Sequence, residues 1–134
     1  MSDAPPSHTH LAIDHSLCGE PRQIEPGRRA VVELHTEARM AADARGLVHG
    51  GFVFGAADYA AMLAVDDPNV VLGSAEVRFT APVRVGERVE LRAEVEGEKA
   101  RKREVSVRAR VSAKLVFEGR FVCFVLDHHV LEDA

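Results

Sequence analysis

Residues 46–65 read GLVHGGFVFGAADYAAMLAV, and the fold of the chain turns on this stretch. Its Ala, Met, Leu and Phe content favours a helix over about Gly51 to Val65. The apolar residues do not gather into one stripe; they surround the helix, the pattern of a segment buried on all sides. Phe52 to Val65 is shorter than the ~20 residues a bilayer span requires, and Asp58 interrupts it. A helix buried in protein is expected, with a carboxylate in its middle.

Beyond this helix the pattern changes to a period of two. Ala75, Val77, Phe79 and Ala81 alternate with Glu76, Arg78 and Thr80, and Val89, Leu91, Ala93 and Val95 with Arg88, Glu90, Arg92 and Glu94. Val105, Val107, Ala109 and Val111 alternate with Ser106, Arg108 and Arg110. Each such strand has one wet and one dry face. The last strand, about Lys114 to Leu126, is apolar on both faces near Phe121 to Phe124, so both of its faces should be covered. Turns at VGE (85–87) and GEKARK (97–102) are short enough to make antiparallel neighbours of the strands they join. Before the helix, Cys18 to about Thr36 reads as a hairpin, with Pro26 and Gly27 suited to the central positions of a type II turn. In its second strand Ala30, Val32 and Leu34 face one way, leaving Val31 as the apolar residue on the polar side. The expected class is α+β: an antiparallel sheet of five to six strands curled around one long helix.

The chain has 134 residues, enough for a single core and too few for two. Residues 1–17 are expected as an N-terminal tail or short segment, loose over 1–7, and 18–134 as the single domain. A net charge of −4 gives no general pull toward nucleic acid or an anionic membrane. Two cysteines, Cys18 and Cys123, are too few for a disulfide framework, and MSDAPPSHTH lacks the basic start and apolar core of a secretion signal. The cytoplasm is the expected compartment. Both cysteines lack a His or Asp partner in any local motif and read as packing residues.

A buried carboxylate loses its hydration, and apolar surroundings raise its pKa. Asp58 is such a group, or else the cap of a loop or the partner of an arginine at a subunit contact. At the start of the helix, Gly50 and Gly51 leave backbone N–H groups open to close approach. Helix N-termini carry unpaired donors and a dipole that favours developing negative charge, the requirement of an oxyanion site for acyl transfer. Gly50 and Asp58 are eight residues apart, roughly 12 Å along one helix at about 1.5 Å per residue. That is too far to act on one carbonyl carbon. If they share a site, Asp58 comes from a second subunit, and two-fold symmetry gives two equivalent sites.

The stretch GLVHGGFVFGAADYAAMLA resembles the signature of hot-dog-fold acyl-CoA thioesterases of the phenylacetate-pathway branch. There an HGG turn opens the central helix and an acid nine residues after the His does the chemistry, the spacing of His49 and Asp58. The resemblance implies that Gly50, beside Gly51, supplies the oxyanion N–H and that the partner subunit's Asp58 acts as general base or nucleophile. His49 would help shape the turn and the thioester pocket. It implies a homodimer or dimer of dimers, an acyl-CoA substrate, no metal, and no cofactor beyond the CoA that the substrate carries. Asp43 stands where that branch has an Asn that positions water. Ser74 is the nearest hydroxyl to the strand position, Leu72, that faces the acid in some relatives.

AEVRFTAPVRVGERVELRAEV and LVFEGRFVCFV also resemble the effector domain of the malonyl-CoA-sensing repressor of fatty-acid synthesis, which binds a thioester without cleaving it. That family carries an N-terminal DNA-binding helix pair, for which the first 45 residues offer no convincing pattern, and an amide in place of Asp58. Hot-dog hydratases place a His five residues after the acid, where this chain has Leu63.

The basic turn Lys99, Arg101, Lys102, Arg103 reads first as a solvated hairpin tip. Alternatively Lys102 and Arg103, with Arg78 and Arg84, are candidate contacts for CoA phosphates. His8, His10 and His15 form a His-rich terminus of the kind that seldom holds a metal without further ligands.

Overall fold

The computed structural model describes residues 4–133; residues 1–3 of the expected tail, and Ala134, lie outside them. A short helix α1 (His15–Cys18) leads into β1 (Glu20–Glu25) and β2 (Arg29–His35), and α2 (Gly50–Val65) is followed by β3 (Val70–Phe79), β4 (Arg88–Lys99), β5 (Lys102–Val111) and β6 (Lys114–Val125). The six strands form one antiparallel sheet in the order β1-β2-β4-β5-β6-β3. This is the hot-dog arrangement, a sheet wrapped around one long helix.

Turn chemistry sets the registers. Gly27 has φ +77° and Arg28 N donates to Glu25 O at 2.9 Å, which closes the β1–β2 hairpin as the Pro-Gly pair required. β4 and β5 turn through Ala100, held at φ +53°. β5 and β6 turn through Ser112 at φ +54°.

One expected pairing fails. β3 is not a neighbour of β4; it crosses to the far edge and pairs with β6, Phe79 opposite Phe117 and Val70 opposite Val125. The VGE turn belongs to a long connection, residues 80–87, which is pinned on the way: Thr80 N donates to Val116 O at 2.9 Å and Val85 N to Gly46 O at 2.8 Å. Local spacing reports a turn but carries no information about which edge the chain reaches after it. β3 also starts at Val70, earlier than its alternation shows.

The dry sides of the strands close on α2. Val32 and Leu34 of β2, Val89 and Leu91 of β4, Val105 and Val107 of β5, and Phe117, Phe121 and Cys123 of β6 are all fully buried. They meet a helix whose inward positions are largely alanine, among them Ala56, Ala57, Ala60, Ala61 and Ala64. Small side chains let the sheet come close over most of the helix, which is why no single stripe is visible in the sequence. Among the described residues no helix is long and apolar enough to cross a membrane.

The segment before β1 packs over the end of α2. Asp66 terminates the helix at φ +54°, its own N–H bonded to Met62 O at 2.7 Å. Its carboxylate sits against the helix dipole's negative end, an unfavourable position, and is fully buried. His8 answers it twice, with its backbone N–H at 2.8 Å and its Nδ1 at 2.7 Å. The His10 and His15 rings stand 6.1 Å from the Tyr59 ring, and His15 Nε2 lies 3.3 Å from the Tyr59 hydroxyl. Thr9 is buried, and Ile13, Leu17 and Cys18 pack against the core.

Candidate active site

α2 begins at Gly50 with His49 as its N-cap residue, in extended conformation and with no side-chain capping bond. His49 N donates to Met40 O at 2.9 Å, and its ring stands edge-on to Phe52 at 6.2 Å. The residue therefore fixes the entry angle through its backbone. Among the described residues the Gly50 and Gly51 amides have no acceptor, so the helix opens with free donors. A Cβ at Gly50 would stand 3.0 Å from Cε1 of Phe79, so the exposed ring would have to shift by a few tenths of an ångström to admit it.

Beside Gly50 lies a cleft of about 360 Å³, lined by Leu47, Val53, Phe79, Val83 and Val116 among others. Its rims are zipped together: Val48 N donates to Val83 O at 2.8 Å, and Leu47 bridges Arg84. Sequence reasoning missed this cleft because its walls come from three separate segments. Two of its walls are large apolar residues left open, Phe79 at 55% and Leu47 at 41% exposed.

Asp58 sits two turns further along α2. Its Oδ1 is buried and has no hydrogen-bond partner among the described residues, and burial pushes its pKa up to about 6. The alternative of a loop cap is not realised among the described residues. The same charge reaches both cysteines. Burial and then Asp58 push the Cys123 thiol up to about 12, and burial, Asp14 and Asp58 raise Cys18. Both residues pack as expected, yet α1 and β6 bring them to the acid, a meeting that no local motif encodes.

The helix is not covered all round. Gly51 is exposed, and Phe54, Gly55 and Asp58 are half-buried; these positions, spaced three and four apart, share one face. A Cβ added at Gly55 would meet nothing within 4 Å.

The other candidates are dispersed. Asp43 uses its Oδ1 to accept from Arg45 N at 2.9 Å and Leu47 N at 3.2 Å, so it braces the loop before His49. Ser74 does not face the acid: a bulge at Gly73 pairs it with Val122, on the outer side of the sheet, while Leu72 pairs with Cys123 on the inner side. Arg78 is also on the outer side, in a hollow with Glu76, Arg108, Glu118 and Arg120. Lys102 pairs with Glu104 at 3.4 Å and Arg103 with Glu98 at 3.3 Å. That hairpin tip lies beside Phe124 at the end of the sheet where α2 finishes, away from Gly50 of the same chain. Of the basic candidates, Arg84 stands at the rim of the cleft. Among the described residues no three His, Cys, Asp or Glu side chains gather as a metal site.

A central helix wrapped by a six-stranded sheet, with free amides at its start and an acid on its open face, defines a hot-dog domain. Residues 34–116 match the family model of the MaoC-like domain, and the chain belongs to that family. Leu63, where a hydratase would carry its His, is fully buried in the core.

Over 120 residues the chain is 47% identical to a methylthioribose-1-phosphate isomerase of Aquifex aeolicus, covering 89% of this chain but 26% of that protein. Over 116 residues it is 29% identical to the transcription factor FapR of Caldanaerobacter subterraneus, covering 87% of this chain and 58% of the factor. The chain thus spans a quarter to somewhat over half of these relatives. Among solved structures, protein PH1136 of Pyrococcus horikoshii is 47% identical, with TM-score 0.92 over 97% of this chain and 99% of that one. A mutant of the phenylacetic acid degradation protein PaaI from Thermus thermophilus is 31% identical, with TM-score 0.75 over 84% of this chain and 96% of that one.

Proposed function

We propose that the protein hydrolyses an acyl-CoA thioester to a free acid and CoA in a site shared by two subunits. The observation that carries this reading is Asp58: a carboxylate with one buried, unpartnered oxygen and a pKa of about 6, on the one open face of the helix. A pKa there is suited to taking a proton from water near neutral pH. The likeness to PaaI supports the substrate class.

Two antiparallel α2 helices related by a two-fold axis bring Gly50 of one opposite Asp58 of the other when the axis passes near Phe54, halfway between them. Gly51 and Gly55, without side chains, allow the close approach this needs. β3 lies at the sheet's edge with its outer side unpaired in the protomer, and such an edge favours pairing with a second copy.

In this arrangement the thioester oxygen accepts from the Gly50 N–H at the helix's positive end. The partner subunit's Asp58 takes a proton from water, whose oxygen bonds to the carbonyl carbon; alternatively the carboxylate itself attacks and water cleaves the resulting anhydride. The C–S bond then breaks, and the proton passes to the departing CoA thiolate. The donor stabilises charge that exists only in the tetrahedral intermediate, and this difference is what accelerates the reaction.

A thioester binder that does not cleave is the second reading, favoured by the likeness to FapR. Thiol release from a panel of acyl-CoAs separates the two. Hydrolysis is expected, lost in Asp58→Asn while acyl-CoA binding persists; binding without release by the wild-type protein would establish the sensor reading instead.

A further inference from the structure

We propose that the cleft beside Gly50 receives the acyl group, that it selects a neutral, apolar acyl chain of short to medium length, and that Phe79 is the residue that sets how far the chain extends. This rests on the thioester reading of the site. The helix-start amides border the cleft, so a carbonyl held there has its two substituents directed along the cleft and away from it. The cleft's lining carries no charged side chain; its only side-chain polar group is the Thr80 hydroxyl, which donates to Leu115 O at 2.8 Å. Inside the cleft an acyl group ending in a carboxylate would lose hydration with no charged side chain in the lining to meet it, Arg84 standing only at the rim, whereas methylene groups lose only unfavourable contact with water.

Volume sets the length. About 360 Å³ lies at the small end of the range for ligand pockets, ~300–1,000 Å³. The walls are rigid, since residues 46–48 are bonded to residues 83–85 and Thr80 to β6. Phe79 is the exception. Its ring leans on Phe117 at 5.2 Å, edge to face, and covers Gly50, while more than half of the side chain is open. Leu47, 41% exposed, is the other large open side chain of the wall; Phe79 is the more exposed of the two and the one that covers Gly50.

The test measures affinities of acetyl-, butyryl-, hexanoyl-, octanoyl-, decanoyl- and succinyl-CoA for Asp58→Asn, which holds substrate without turnover, and for Asp58→Asn combined with Phe79→Ala. Thiol release is measured in parallel with wild type and Phe79→Ala. With Phe79 present, affinity is expected to rise about twofold to fourfold per methylene and level off once the cleft is filled. Succinyl-CoA should bind at least about tenfold more weakly than butyryl-CoA. Phe79→Ala should weaken the short chains and move the plateau to longer ones, with the same shift in kcat/KM. Equal affinity along the series would put the pantetheine arm in the cleft and overturn the proposal, as would a preference for succinyl-CoA or an unchanged ranking in Phe79→Ala. Length-dependent binding without thiol release by wild type would uphold the cleft and remove the hydrolase reading.

Discussion

At the scale of single residues the proposed chemistry depends on Asp58. Its carboxyl has a folded pKa of about 6 against an ordinary value of 3.8, so as pH rises from 3.8 to about 6 the unfolded chain ionises while the folded one stays protonated, and stability falls. Asp58→Asn removes this penalty. Its melting temperature should exceed wild type at pH 8, by the equivalent of about 1 kcal/mol once solvent screening is allowed for. The gain should shrink to nothing below pH 4, and scanning calorimetry across that range checks it. Activity should move the opposite way: Asp58→Asn is expected to lose about 10²- to 10⁴-fold in kcat/KM, and wild-type kcat/KM should fall as pH drops through about 6. That Asp58 stands alone among apolar neighbours was legible in the sequence, because the lack of other charges over two turns is a local fact. That Ser74 faces outward was not, because one bulge at Gly73 exchanges the two faces of β3 and nothing in the local pattern announces it. The Asp43 carboxylate was legible as a departure from the expected Asn, while its use as a loop brace depends on amides at Arg45 and Leu47 being turned toward it.

At the scale of elements, α2 has two tasks that its sequence states in one pattern. Most of its circumference is core, and the face with Gly51, Phe54, Gly55 and Asp58 is left open, the face on which the proposed site would seat a second helix. Gly55→Trp should therefore spare the fold of the protomer, since the space beside Gly55 is open, yet drive the dimer apart and abolish activity. Light scattering and circular dichroism on the same sample test this, and a dimer that persists would contradict the helix-to-helix contact. The N-terminal segment makes a second prediction. His8→Ala removes the ring partner of a fully buried carboxylate, and should cost about 1 kcal/mol and speed amide exchange over residues 8–18 relative to the sheet. Strands β4 to β6 were legible because each has a wet and a dry side. The packed N-terminal segment was not, because its contacts link His8 to Asp66 and His15 to Tyr59, separations of 58 and 44 residues that no short period reports.

At the scale of the whole molecule, the sheet closes around α2 only because β3 crosses to the edge beyond β6. The strand count and the wrapped helix were readable from periodicity; the crossing was not, since it depends on the pinned connection over residues 80–87. The central claim is that two copies complete one site, Gly50 from one and Asp58 from the other. Gly50→Pro deletes the N–H at the first helical position, where proline is tolerated, and His49 already has the extended conformation that precedes proline. Gly50→Ala, which keeps the N–H and meets Phe79 in the same way, controls for the added bulk. The most direct measurement mixes Gly50→Pro and Asp58→Asn subunits, each inactive alone, and follows thiol release after subunit exchange has been confirmed. A shared site predicts recovery to about a quarter of wild-type activity, because half the dimers are hybrids and one of the two sites in each is intact; no recovery would contradict it.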